Sequence, residues 1–138
     1  MTALYIILGI VLLIALVVIG LFNRLSRQKV VIGEASADIE TILKQRYDMI
    51  PNLVEIVKGY AKHEKETFSS VTELRTKAMS AGSFEEKAKL EDQLSKGLSK
   101  IFALAENYPE LKANTNFLEL QTNLKDLEDT LQKSRRFY

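Results

Sequence analysis

Asp38-Ile39-Glu40-Thr41-Ile42-Leu43-Lys44-Gln45-Arg46-Tyr47-Asp48-Met49-Ile50-Pro51-Asn52-Leu53-Val54 keeps helical spacing straight through a proline. Ile39, Leu43, Arg46/Tyr47, Ile50, Val54, Val57 and Ala61 recur every three or four residues, with no change of phase at Pro51. A loop loses that phase, so the stretch reads as one long helix kinked at Pro51. Pro51 has no N–H to give the carbonyl of Tyr47, and its ring presses on that turn. The alternative is a break, with Pro51 at the first position of a new helix.

Upstream, the run from Leu4 to Phe22 carries no charged side chain. At ~1.5 Å per residue, Thr2 to Phe22 spans roughly 30 Å, the thickness of a hydrocarbon core. A cleaved signal peptide needs a basic n-region and a shorter apolar run, and neither is present. The segment therefore reads as a retained single-pass anchor in a plasma or inner membrane. Arg24, Arg27 and Lys29 follow it and no basic residue precedes it. The positive-inside rule then places the C-terminal side in the cytoplasm. The same three cations suit anionic lipid headgroups.

Downstream, a single helix is expected from about Asn23 to about Met79, with Ile32, Ala35, Ile39, Ile42/Leu43, Arg46 and Ile50 on one stripe below Pro51. Above it come Val54, Val57, Ala61, Phe68, Val71 and Ala78. Ser80-Ala81-Gly82-Ser83 is a turn, and Ser83 with Glu86 forms a capping box for the next helix. Phe84, Ala88, Leu94, Leu98, Ile101/Phe102, Ala105 and Tyr108 give that helix its apolar face, and Pro109 ends it. Asn116 with Glu119 is a second cap pair. Phe117, Leu120, Leu124, Leu127, Leu131, Ser134 and Tyr138 then alternate spacings of three and four, a heptad seam suited to near-antiparallel packing.

The expected fold is all-α: an N-terminal transmembrane helix running into a long helix kinked near Pro51, packed with two further helices as an antiparallel bundle. Residues 1–22 would be the anchor, 23–50 a juxtamembrane helical stalk and 51–138 the bundle. On these lengths the second helix descends only to Pro51 and the third climbs back. The stripe from Ile32 to Ile50 is then left without an intrachain partner, and an apolar stripe of that size calls for another copy or a further helix. The chain stops at Tyr138 in mid-heptad, which fits both.

Composition narrows the function. A net charge of +1 over 138 residues argues against a nucleic-acid binder, which usually shows a basic stripe or a high pI. No cysteine means no disulfide or thiolate chemistry. His63-Glu64 opens like a helical zinc motif, but Thr67 stands where the second imidazole belongs. With one histidine there is no His-rich metal site and no Ser-His-Asp triad. No Gly-rich phosphate loop occurs, so no cofactor is called for. His63 reads as a helix-surface residue, and Asp126, Glu128 and Asp129 as a solvated face. Tyr47, Asp48 and Asn52 form a polar cluster at the kink, where Asn52 is placed to satisfy a freed carbonyl. Arg46 falls on the apolar stripe and calls for a carboxylate from another helix.

Gln45-Arg46-Tyr47-Asp48-Met49-Ile50-Pro51-Asn52-Leu53-Val54, followed by Val57-Lys58-Gly59-Tyr60-Ala61-Lys62-His63-Glu64, resembles the core motif of the LemA family. Tyr108 to Phe117 and Arg135-Arg136-Phe137-Tyr138 resemble its two later motifs, in the family's order. The resemblance implies a bacterial single-pass membrane protein with a helical-bundle domain, and no established enzymatic activity or cofactor comes with it. A magnetosome-membrane relative links some members to membrane organisation. Two departures stand out: the family's usual Trp near Ala35 is absent, and members continue for several dozen residues beyond the motif ending at Tyr138. Some relatives carry lipoprotein-type signals, which would put the domain outside the cytoplasm.

Two functions fit these readings. One is a non-enzymatic, membrane-anchored scaffold or membrane organiser, homo-oligomeric through the Ile32–Ile50 stripe and open to other membrane proteins. The other is a receptor-like sensor or adaptor whose kinked helix passes on a ligand-dependent shift.

Overall fold

The computed structural model describes residues 2–136, and all of its regular structure there is helical. The helices are α1 (Thr2–Tyr60), α2 (Lys65–Met79), α3 (Phe84–Ala105), α4 (Pro109–Lys112) and α5 (Thr115–Arg136). The chain divides into two units, the first through Asp38 and the second from Ile39 onward, and α1 contributes to both. In the first unit α1 is long and apolar enough to cross a membrane. Its large apolar side chains from Leu4 to Phe22 are all 53–70% exposed.

Helix α1 passes through Pro51 without interruption, as its unbroken phase predicts. It does not continue to Met79. It ends at Tyr60, and a turn over Lys62 and His63 leads into α2. Periodicity hides this break because buried Phe68 lies one heptad beyond buried Ala61, so the apolar phase resumes on the far side. None of the usual punctuation marks the break. Glu64 occupies the N-cap position of α2 without a side-chain cap hydrogen bond, where Ser, Thr, Asp or Asn is the common choice.

The turn reverses the direction of everything that follows. Arg75 of α2 bonds the Tyr47 carbonyl of α1, so α2 runs back down beside α1. Early in α3, Glu91 meets Arg46 and Tyr47, and α3 climbs from there. The Asn114 amide donates to the Tyr60 hydroxyl at the upper end, and Glu128 of α5 meets Arg46 lower down. The second unit is therefore an up-down-up-down bundle of four helices, α1, α2, α3 and α5, rather than three. Gly97 makes room where α3 crosses α2, since a Cβ there would sit 3.0 Å from Val71 Cγ2.

This topology corrects the expected stalk. Leu43, Arg46, Tyr47, Ile50, Leu53, Val54 and Val57 of α1 are all buried, and Ile39 and Ile42 pack against the core. The bundle starts at Ile39, not at Pro51. The stripe from Ile39 to Ile50 has intrachain partners because α3 climbs and α5 descends past it. Ile32 alone of the stripe's named large residues stays outside, 55% exposed.

Local signals mostly hold. The Ser83 hydroxyl accepts from the Glu86 N–H at 3.2 Å, while the Glu86 carboxylate reaches back to the Gly82 N–H. Pro109 does not merely end α3, which stops at Ala105; it opens α4 at a position where its missing N–H costs nothing. The cap of α5 is Asn114 rather than Asn116: the Asn114 side-chain oxygen accepts from the Phe117 N–H at 3.0 Å. Phe84, expected on the apolar face of α3, is 70% exposed. Phe137 and Tyr138, the end of the last motif, lie outside the described residues.

Candidate functional site

A proline inside a helix leaves one carbonyl without its backbone donor, here that of Tyr47. The Arg75 Nε–H of α2 takes that place, donating to the Tyr47 oxygen at 2.7 Å. Asn52 does not serve this purpose. It is exposed, as are Asp48 and Pro51. The interruption at Pro51 is thus sealed from a second helix, and the seal ties α2 to α1.

Beside it lies a buried polar network. Arg46 is 1% exposed and Glu91 is 2% exposed. Arg46 Nη1 sits 3.1 Å from Glu91 Oε2 and 3.1 Å from Glu128 Oε2, while Nη2 donates to Ser95 Oγ at 2.7 Å. The Tyr47 hydroxyl donates to Glu91 Oε1. Ser95 can place its single proton on the Glu91 carbonyl or on Glu128 Oε2, both at 3.0 Å. One guanidinium therefore joins α1, α3 and α5. Among the described residues, every buried side-chain nitrogen and oxygen has a partner.

Electrostatics favours this arrangement as a unit. A buried guanidinium or carboxylate alone is costly to desolvate, but paired and fully hydrogen-bonded the group is tolerated. Burial, and then the bond to Glu91, push the Tyr47 phenol well above its ordinary range and keep it protonated. Tyr47 is accordingly a donor here. Ser95 spends its proton inside the network.

The carboxylate that Arg46 calls for is Glu91, and the sequence carries a trace of it. Glu91 interrupts the apolar face of α3 between Ala88 and Leu94, where a heptad residue belongs. Glu128 sits in a charge run that reads as a solvated face, yet it turns inward to Arg46, while Asp126 and Asp129 stay exposed. Ser95 and Arg75 leave no such trace. The structure brings Leu43, Arg46, Tyr47 and Ile50 together in the core with Ile39 at its edge. Ile32, Arg24, Arg27 and Lys29 lie in the first unit and are exposed. His63 is exposed in the α1–α2 turn rather than on a helix. Among the described residues, no group of three or more His, Cys, Asp or Glu side chains is placed to hold a metal ion.

Comparison with known proteins gives this arrangement a context. Protein LemA of Metamycoplasma hominis is 28% identical over 123 residues, covering 88% of this chain and 56% of that protein. The chain thus spans a little over half the length of this curated relative. A family model described as LemA family matches residues 35–138. That match takes in the bundle from Ile39 onward, with Arg46, Glu91, Glu128 and Pro51 inside it, and the chain belongs to the LemA family.

Proposed function

We propose that this chain is a non-enzymatic, membrane-anchored helical-bundle protein that self-associates beside the bilayer and acts as a scaffold or membrane organiser. The observation that carries the reading is a short apolar surface in the first unit. Leu25 and Ile32, one heptad apart on the same face of α1, are 64% and 55% exposed just after its apolar run. Anchored chains share one plane, which raises their effective concentration, so a modest apolar contact is enough to pair them. The self-contained network around Arg46 supports a structural role for the bundle. Arg24, Arg27 and Lys29 support a cytoplasmic C-terminal side and contact with the lipid bilayer. Other membrane proteins are further partners for the same surface.

The test is the mass of the full chain in mild detergent, by light scattering. The scaffold reading predicts an oligomer that falls to a monomer in the Leu25→Glu/Ile32→Glu variant. A monomeric wild type would overturn it. A reporter fused after Tyr138 tests the orientation, with a cytoplasmic signal expected and an extracytoplasmic one contradicting it.

One observation favours a second reading, that of a sensor. A groove of about 420 Å³ between α3 and α5 is lined by Ser95, Phe102, Leu124 and Glu128 and reaches Arg46. A ligand entering there would compete for Arg46 and loosen α1 near Pro51. Structures with and without candidate ligands that show the same Arg46 pairing would count against it.

A further inference from the structure

The stretch Val57 to Glu64 gives the core only Val57 and Ala61. Tyr60 accepts a hydrogen bond from Asn114, and the charged residues of the stretch gather at the α1–α2 corner. Lys58 lies in the last turn of α1, Lys62 and His63 form the turn, and Lys65 begins α2. These four line a groove of about 1040 Å³ together with the hydroxyl residues Ser69 and Thr72 of α2. One carboxylate, Glu73, also lines it, and that group is held by Lys77 at 2.6 Å on its own helix. Lys77, Lys96 and Lys112 each have a carboxylate partner, whereas among the described residues Lys58, Lys62 and Lys65 form no ion pair. The groove therefore carries uncompensated positive charge.

We propose that this corner groove binds a ligand bearing two or more phosphate groups. Three ammonium groups exceed what one singly charged carboxylate can neutralise. Lysines act as compact, mobile point charges that suit phosphate oxygens, and the lining lacks the planar arginine fork that matches a single carboxylate. The hydroxyls of Ser69 and Thr72 add neutral donors on the same wall. Phosphates from a soluble polyanion and from lipid headgroups share this chemistry.

The experiment uses the full chain in phosphatidylcholine nanodiscs. One arm titrates inorganic polyphosphate by calorimetry, and the other measures co-flotation with vesicles containing cardiolipin, a lipid with two phosphates. The corner variant is Lys58→Gln/Lys62→Gln/Lys65→Gln. The control Lys89→Gln/Lys125→Gln/Lys133→Gln removes the same charge from other exposed positions. Circular dichroism checks that both fold. In whichever arm the wild type binds, the corner variant is expected to weaken binding about tenfold or more, and the control less than about twofold. Binding confined to one arm identifies the source of the phosphate. Equal losses in the two variants, or no binding in either arm, overturn the proposal.

Discussion

Helix α1 is one continuous element with two kinds of environment. Up to Asp38 it buries no described side chain; from Ile39 to Tyr60 it buries seven, Arg46 among them. The local sequences are similar in apolar content over Val30–Ile32 and Ile39–Leu43. What separates them is burial: Leu43 is in the bundle core, while Val30, Val31 and Ile32 are 55–62% exposed. Helical continuity therefore says little about packing, and the identity of the covering helices says nearly everything. The sharpest sequence mark of the covered part is a charge: Arg46 on an apolar stripe stays only where another helix brings a carboxylate.

Substitutions along α1 should separate the two parts cleanly, with thermal or urea unfolding of the full chain in nanodiscs as the measurement. Arg46→Met leaves Glu91 buried without its cation and is expected to cost about 3–5 kcal/mol. Arg24→Met, on the other side of the division, should stay within about 0.5 kcal/mol. An Arg46 effect as small as that would mean that the network is not packed as described. Leu43→Ala opens a cavity in the core and is expected to cost about 2–5 kcal/mol. Ile32→Ala, on a 55%-exposed side chain, should again fall within about 0.5 kcal/mol. Equal costs at the two positions would erase the distinction.

The seal at Pro51 gives a smaller effect. Arg75→Met removes the donor to the Tyr47 carbonyl and should cost about 1–3 kcal/mol. Asn52→Ala, at an exposed position, should cost far less. The smallest effect is a pH dependence. The Tyr47 phenol stays protonated in the folded chain well above its ordinary value of 10.0. The unfolded chain ionises first, so the stability contributed by Tyr47 is complete below about pH 10 and is lost as the pH climbs from there toward the folded value. Comparing pH profiles, Tyr47→Phe should flatten the alkaline fall relative to wild type. An unchanged slope would place the phenol in water.

Much of this was legible in the residues, and the omissions have physical causes. The apolar run, the unbroken phase through Pro51 and the Ser83–Glu86 box are local patterns, and local patterns survive folding. The turn at Lys62–His63 was not legible, because the spacing from Ala61 to Phe68 preserves the heptad and no Pro or cap residue interrupts it. That one turn decides the direction of α2, α3 and α5, and hence which face of α1 is covered. Missing it made the segment from Ile39 to Ile50 look like an unpaired stalk. Glu91 could be found as a break in an apolar seam, given that Arg46 needed a partner. Glu128 could not, since a carboxylate between Asp126 and Asp129 looks like any solvated acid until tertiary packing turns it inward. Arg75 answers a need created by Pro51, but nothing in its own neighbourhood says so.

The most direct test places single cysteines at Leu25, Ile32, Leu43 and Ile50 in the otherwise cysteine-free chain and measures disulfide crosslinking between copies in the membrane. Crosslinks are expected at Leu25 and Ile32 and none at Leu43 or Ile50, which are buried in the core of their own chain. Crosslinks at Leu43 and Ile50 would show that stretch open to a second copy, and no crosslinks at any position would remove the association surface altogether.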